Sequence, residues 1–406
     1  NVFGGCGLSS STIIKSQAVR RGGRTLSTFN FYDGWLIGAV IFACCLGLIM
    51  LVSTSGPIAE KRGMSIFYYF WRQIIALGIG VSLALLVIKI ESKVISKVGP
   101  LAILFVVVLL VLVLLPYFSH EVNGSKRWLY FSGWSFQPSE LAKLAVVIYL
   151  ANFLVRHSEQ VRTQSVGLIK AIFVLAVLAA LLVAEPDFGS SVVLFGAGMG
   201  MLFLAGVPLL KFFSAGAGIL LVLGTVAYSA PYRVARISSF LNPWVDDKNT
   251  GWQLTNALIA FGRGDWFGVG LGNSVQALHF LPEAHTDFVF AVIGEELGTL
   301  GAIGIILLFV FIAWRIFRIG VAAEETGQLF GAYMAYGVSF LIGIQAMIHV
   351  GVNVGYLPTK GLPLPFISYA SNNLIFMLLS VGLVLRVGYE TTTHSGFSLS
   401  RGKSHD

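Results

Sequence analysis

The tightest constraint on this chain is the recurrence of apolar stretches about as long as a bilayer is thick. A helix that crosses the hydrocarbon core needs ~20 mostly apolar residues, because each residue advances it only about 1.5 Å. Runs that meet this criterion have cores at 35–51, 66–88, 101–117, 141–154, 171–184, 190–207, 212–228, 288–312, 330–352 and 374–385. In lipid every backbone polar group must be satisfied within the protein, so these runs are expected to be helices. The predicted fold is an all-α polytopic membrane protein with about ten transmembrane helices. Composition agrees: 11% of the 406 residues are charged and 56% are hydrophobic, with mean hydropathy +0.82. A soluble domain is roughly 25% charged.

Charge fixes the orientation. With the N-terminus inside, sixteen of the 27 lysines and arginines fall on inner segments and nine on outer ones. That bias places both termini in the cytoplasm. The predicted units are a cytoplasmic tail at 1–33, a transmembrane unit at 34–388 and a cytoplasmic tail at 389–406, with a large extracytoplasmic loop at 231–285 between helices 7 and 8. Both tails are polar and are expected to be disordered. Asn1 rather than Met opens the chain, so the natural start is expected upstream. The formal charge of +8 sits mostly in short loops, and no basic stripe interleaves with stacking aromatics, which argues against nucleic acid as a partner. The three cysteines, Cys6, Cys44 and Cys45, imply no disulfide framework. There is no Walker A loop, no Gly-x-Ser-x-Gly elbow and no His-Glu-x-x-His pair.

Charges at membrane depth cost ~2.5–3.5 kcal/mol each on insertion scales, so they persist where they are paired or used. Five clusters follow from that rule. The first joins Lys126-Arg127-Trp128 to Gln137-Pro138-Ser139-Glu140 and Lys143. Glu140 and Lys143 are three apart on a helix and can pair; alternatively Arg127 and Lys143 can hold a pyrophosphate. The second, Glu185-Pro186-Asp187-Phe188-Gly189, sets two carboxylates at a helix break, either as a cation or cavity site or as a polar turn. The third is the outer loop, where 251–261 has the spacing of a helix lying in the interface and Gly268-Val269-Gly270-Leu271-Gly272 reads as a tight turn. The fourth runs Leu281-Pro282-Glu283-Ala284-His285-Thr286-Asp287-Phe288 and continues to Gly294-Glu295-Glu296. Asp287 is the leading general-base candidate, with helix capping by Thr286 or Asp287 as the alternative. On a continuous helix Glu295 would share its side. The spacing of His279, His285 and Asp287 matches no standard zinc pattern. The fifth, 357–369, carries Pro358, Pro363 and Pro365 with Lys360 and Ser368, and is expected to be an ordered outer loop, re-entrant and covered by protein.

These motifs resemble the SEDS family (shape, elongation, division and sporulation proteins) over about 35–386. The 281–298 block looks more like the family's cell-division member than its elongation member. The resemblance implies a peptidoglycan glycosyltransferase that polymerises lipid II in the bacterial inner membrane at the division septum. Asp287 is then catalytic, and Arg127, Lys143, Glu140, Glu185, Asp187, His285, Glu295, Lys360 and Ser368 are candidate substrate contacts. It also implies a class B penicillin-binding protein as partner, alongside other divisome membrane proteins and membrane lipid. No cofactor is assigned, although a divalent cation such as magnesium or manganese suits a pyrophosphate leaving group. The chain departs from the family in reading Ser368-Tyr369-Ala370-Ser371-Asn372-Asn373 where Ser-Tyr-Gly-Gly-Ser is usual, which puts that loop's geometry in question. A lipid II flippase and a non-catalytic division scaffold are the competing readings.

Overall fold

The computed structural model describes residues 32–115, 127–131, 134–228, 240, 242–245, 251–358 and 361–401. Its helices in chain order are α1 (Gly34–Lys61), α2 (Tyr68–Ile88), α3 (Ser92–Leu114), α4 (Pro138–Arg156), the short α5 (Ser158–Thr163), α6 (Ser165–Ala184), α7 (Phe188–Leu204), α8 (Leu209–Tyr228), α9 (Trp252–Gly264), α10 (Val289–Glu325), α11 (Leu329–Asn353) and α12 (Ser371–Arg401). Among the described residues, eight helices are long and apolar enough to cross a membrane: α1–α4, α6, α10, α11 and α12. α7 is apolar with 17 residues and α8 has 20, so ten helices correspond to the ten apolar runs. The chain is a multi-pass membrane protein.

Two features were not anticipated. Leu129–Phe131 and Trp134–Phe136 pair as a small antiparallel hairpin, β1–β2, just before α4. In addition, α12 continues past 388 to Arg401, so helix extends into the stretch expected to be a disordered tail. Its inner end is held to the body of the protein: Glu390 Oε1 accepts from Ser92 N at 3.0 Å and Arg386 Nε at 2.7 Å. Residues 1–31 of the other tail, and most of 231–250, lie outside the described residues.

Polarity sorts the helices from centre to rim. α4 is buried over 78% of its apolar stretch, α11 over 67% and α12 over 61%, against 17% for α2 and 22% for α3. The three central helices are also the least apolar of the spanning set. Lipid takes the most apolar faces, while polar side chains turn inward to find partners. The interior is therefore where the chain's polar groups meet.

α10 carries a break that shapes the outer face. Gly298 has φ 71° and ψ −173°, about 14 Å along the helix from its start. The break deprives the carbonyls of Glu295 and Glu296 of their helical donors, and the outer loop replaces them. Val269 N and Gly270 N donate to those carbonyls at 3.0 and 3.1 Å, while Thr299 N and Leu300 N donate to the carbonyls of Asp265 and Trp266 at 2.8 and 3.3 Å. This seam requires glycine on both sides. A Cβ on Gly268 would lie 2.1 Å from the Glu296 carbonyl oxygen, and one on Gly298 would lie 2.4 Å from Gly268 N.

Candidate active site on the outer face

The fifth cluster forms a re-entrant loop sunk into the outer end of the bundle. Leu362, Leu364, Phe366, Ile367 and Ser368 are all buried. Such a loop survives at membrane depth only if its backbone is satisfied by protein, and its carbonyls are. Leu362 O accepts from His349 Nδ1 at 2.7 Å, Pro363 O from Gln345 Nε2 at 2.9 Å, Leu364 O from Ser368 N at 3.0 Å and Ser368 O from Gln73 Nε2 at 3.1 Å. The departure from the family motif costs no backbone strain here, since neither Ala370 nor Ser371 has a positive φ. The two asparagines that follow are used: Asn372 Nδ2 donates to Ser135 O and Asn373 Nδ2 to Glu140 Oε2, each at 2.8 Å.

Asp287 sits against this loop. It precedes α10, whose N-cap position is Phe288 with no side-chain cap, so helix capping by Thr286 or Asp287 does not describe the site. Instead Thr286 Oγ1 donates within the turn to Glu283, at 3.1 Å to its carbonyl and 2.9 Å to Oε2. Two links fix the Asp287 backbone. Asn353 Nδ2 donates to Asp287 O at 3.1 Å, and Ser368 Oγ donates to Thr286 O at 2.6 Å while accepting from Leu364 N at 2.8 Å. The half-buried Asp287 carboxylate faces Gly361, where a Cβ would lie 2.9 Å from Oδ2. The glycine leaves the room that the carboxylate occupies.

The other expected residues separate into distinct settings. His285 is buried with its ring against Tyr69 and Tyr369, centroids 5.0 and 5.5 Å away. Burial lowers its pKa to about 4, opposed by nearby Glu283 and assisted by Arg62, so it is neutral at pH 7. Beside it opens a cavity of about 380 Å³ lined in part by Lys61, Arg62, Leu281, Pro282 and Glu283. Arg127 braces the second cluster. Its Nε donates to Glu185 O at 3.2 Å, its Nη2 donates to Pro186 O, and its Nη1 lies 3.9 Å from Asp187 Oδ1. Glu185 is fully buried with neither carboxylate oxygen hydrogen-bonded. Burial chiefly, then Asp187, pushes its pKa up to about 9 against the pull of Arg127. This turn borders the re-entrant loop, since Gly189 packs on the Leu362 side chain.

Lys143 and Glu140 behave as a structural pair. Lys143 Nζ lies 2.9 Å from both Glu140 oxygens and donates to Gln345 Oε1 at 2.8 Å, with only 1% of the lysine exposed. Enclosed in this way, Lys143 is part of the framework rather than an open cation. Glu295 is likewise separated from Asp287. Because Asp287 lies before the helix, the helical angle between them does not apply. The Glu295 carboxylate accepts from Arg263 at 3.0 Å, from Val275 N at 3.1 Å, from Gln276 N at 3.3 Å and from the Ser274 hydroxyl. It braces α9 and the outer loop against α10. Lys360 and Lys126 lie outside the described residues, as does the His279 side chain. Among the described residues no three His, Cys, Asp or Glu side chains gather as a metal site.

What the sequence reading missed is a stripe of neutral polar residues. Gln345, His349 and Asn353 stand four apart on α11, one above the next on a single face. From inner to outer they join the Glu140–Lys143 pair, the re-entrant loop and the Asp287 segment. Their spacing within an otherwise apolar run was the available signal.

The family model described as "Cell cycle protein" and covering FtsW, RodA and SpoVE matches residues 34–393. The chain is 48% identical over 359 residues to the "Probable peptidoglycan glycosyltransferase FtsW" of Nitrosococcus halophilus strain Nc4, covering 88% of this chain and 92% of that protein. It is 44% identical over 376 residues to the protein of the same description from Legionella pneumophila, covering 93% and 95%. Among solved structures it is similar, with TM-score 0.72 and 26% identity, to a chain from "Structural coordination of polymerization and crosslinking by a peptidoglycan synthase complex", covering 89% of this chain and 98% of that one. It is also similar to the rod shape determining protein RodA of Thermus thermophilus, with TM-score 0.65, 26% identity, and coverage of 88% and 96%.

Proposed function

Because the chain belongs to the FtsW, RodA and SpoVE family of cell cycle proteins, we propose that it is a peptidoglycan glycosyltransferase that polymerises lipid II at the outer face of the bacterial inner membrane, during septal wall synthesis. The observation that carries this reading is the placement of Asp287. One carboxylate is set on a doubly tethered backbone at the mouth of a buried loop, in room that Gly361 leaves for it. Pre-organisation of this kind suits a general base.

Asp287 takes the proton from the 4-hydroxyl of the acceptor's terminal N-acetylglucosamine. The freed oxygen attacks the anomeric carbon of the donor disaccharide, and the bond from that carbon to the polyprenyl pyrophosphate breaks. A single displacement inverts the anomeric centre, converting an α-linked donor into a β-linked product. The departing diphosphate needs positive charge on the outer side. Lys61 and Arg62, on the cavity beside His285, are better placed for it than the enclosed Lys143. A divalent cation, if bound, would neutralise the same leaving group. The similar chain in a synthase complex that coordinates polymerisation with crosslinking supports a class B penicillin-binding protein as partner.

The test is polymerisation of purified lipid II by the purified chain with its class B partner and divalent ions present. Wild type is expected to form glycan strands, and Asp287→Asn to lose roughly a hundredfold or more in rate. Full activity in a folded Asp287→Asn protein would remove Asp287 as the base. No polymer from wild type would overturn the glycosyltransferase reading and favour a transporter of the same lipid.

A further inference from the structure

The inner end of the bundle carries a second charged cleft, far from Asp287. It has a volume of about 710 Å³ between the start of α1 and the inner ends of α10 and α12. Tyr32, Asp33, Trp35, Arg315, Arg318 and Thr391 contribute to its lining. Arg315 is held on one side only: Nη2 donates to Asp33 Oδ2 at 2.5 Å, while its buried Nε has no hydrogen-bond partner. Arg318 is exposed and makes no salt bridge among the described residues. Two guanidiniums against one carboxylate leave the cleft positive, with donors to spare.

Its surroundings identify the anion. The guanidiniums of Arg315 and Arg318 lie 5.6 and 5.8 Å from the Trp314 ring. Trp314 and Trp35 are 47% and 73% exposed on the rim of the bundle, as tryptophans are at headgroup level. Leu307, Val310, Trp314 and Arg318 follow one another at intervals of three and four along one exposed face of α10. A cation therefore tops an apolar strip that runs toward the bilayer centre. A free anion would use only the cation; a lipid would use both.

We infer that this cleft binds the phosphate of an anionic phospholipid of the inner leaflet. Arg318 and the accessible part of the Arg315 guanidinium donate to the phosphate oxygens, and an acyl chain lies along Trp314, Val310 and Leu307. Basic pockets between membrane helices on the cytoplasmic side recognise such headgroups. The site is independent of the glycosyl-transfer reading.

The experiment is thermal melting of the detergent-purified full chain, titrated with phosphatidylglycerol, with phosphatidylcholine or with inorganic phosphate. The difference between the two lipids is read within each variant, so that baseline stability cancels. Phosphatidylglycerol is expected to raise the wild-type melting temperature above the phosphatidylcholine value. Arg318→Gln should lose about half or more of that difference, Arg318→Lys should keep most of it, and Lys97→Gln, on an exposed inner surface elsewhere, should keep all of it. Equal responses to the two lipids, or an undiminished difference in Arg318→Gln, overturns the proposal. A shift of the same size from inorganic phosphate alone also overturns it, in favour of a free-anion site.

Discussion

Gly361 and Glu185 show how single residues set the chemistry of the outer face. Gly361→Ala would place a methyl group 2.9 Å from Asp287 Oδ2. The atom it meets is the far end of a side chain, so the fold can yield, but only by moving the carboxylate. The expected result is a melting temperature close to wild type with polymerisation lowered by roughly tenfold or more, since small misplacements of a reacting group are costly. Glu185 gives a pH signature. Its carboxyl is buried without a hydrogen-bond partner, and burial raises its pKa to about 9 from the ordinary carboxylate value of 4.5. Between those values the native state holds a proton that the unfolded chain has released, so stability must fall as pH rises. The contribution is fully present below about 4.5 and is lost as pH rises through about 9. Melting curves from pH 6 to 9 should therefore decline more steeply for wild type than for Glu185→Gln, which keeps the shape and removes the titration. Identical slopes would mean that Glu185 is ionised in the native state.

At the scale of elements, the seam between the outer loop and α10 is the feature most exposed to test. Gly298→Ala adds a side chain at φ 71° against backbone only 2.4 Å away. Strained backbone alone costs about 1–3 kcal/mol, and here the contact adds to it. Melting temperature and polymerisation should both drop. Gly304→Ala, on the same helix with nothing within 4 Å of the added Cβ, should leave both unchanged or gain slightly. The helices themselves were legible in the sequence because lipid permits few alternatives, and the re-entrant loop was legible from its prolines. The place of Asp287, where the outer loop enters α10, was legible too. The stripe of Gln345, His349 and Asn353 was not, because neutral amides and a histidine carry no obvious charge cost and their partners come from distant segments. For the same reason the sequence leaves Lys143 between a pair with Glu140 and a contact to pyrophosphate. Its spacing to Glu140 was visible, but Gln345, about 200 residues away, was not. The break at Gly298 was hidden too, since a glycine in an apolar run does not announce its φ.

For the molecule as a whole, orientation rests on the distribution of charge. With the native cysteines replaced, Leu271→Cys should react with a membrane-impermeant maleimide from outside intact inner membranes, and Lys97→Cys only once the cytoplasmic side is opened; both positions are exposed. Reversed labelling would invert the topology and move Asp287 to the wrong side for wall synthesis.

The glycine seam also bears on how the protein is made. The loop that feeds N–H groups to the broken turn of α10 precedes that helix in the chain, so it leaves the ribosome first. If α10 entered the bilayer by itself, it would close its own hydrogen bonds across Gly298 and run straight, because bare carbonyls in hydrocarbon cost several kcal/mol per group. The break therefore belongs to the docked state of loop and helix, which exchange donors and acceptors as they meet. Residues 265–300 are in that sense a single unit of assembly, and a substitution at Gly268 or Gly298 should first appear as protein in which that docking fails and which is degraded, before any effect on catalysis can be measured.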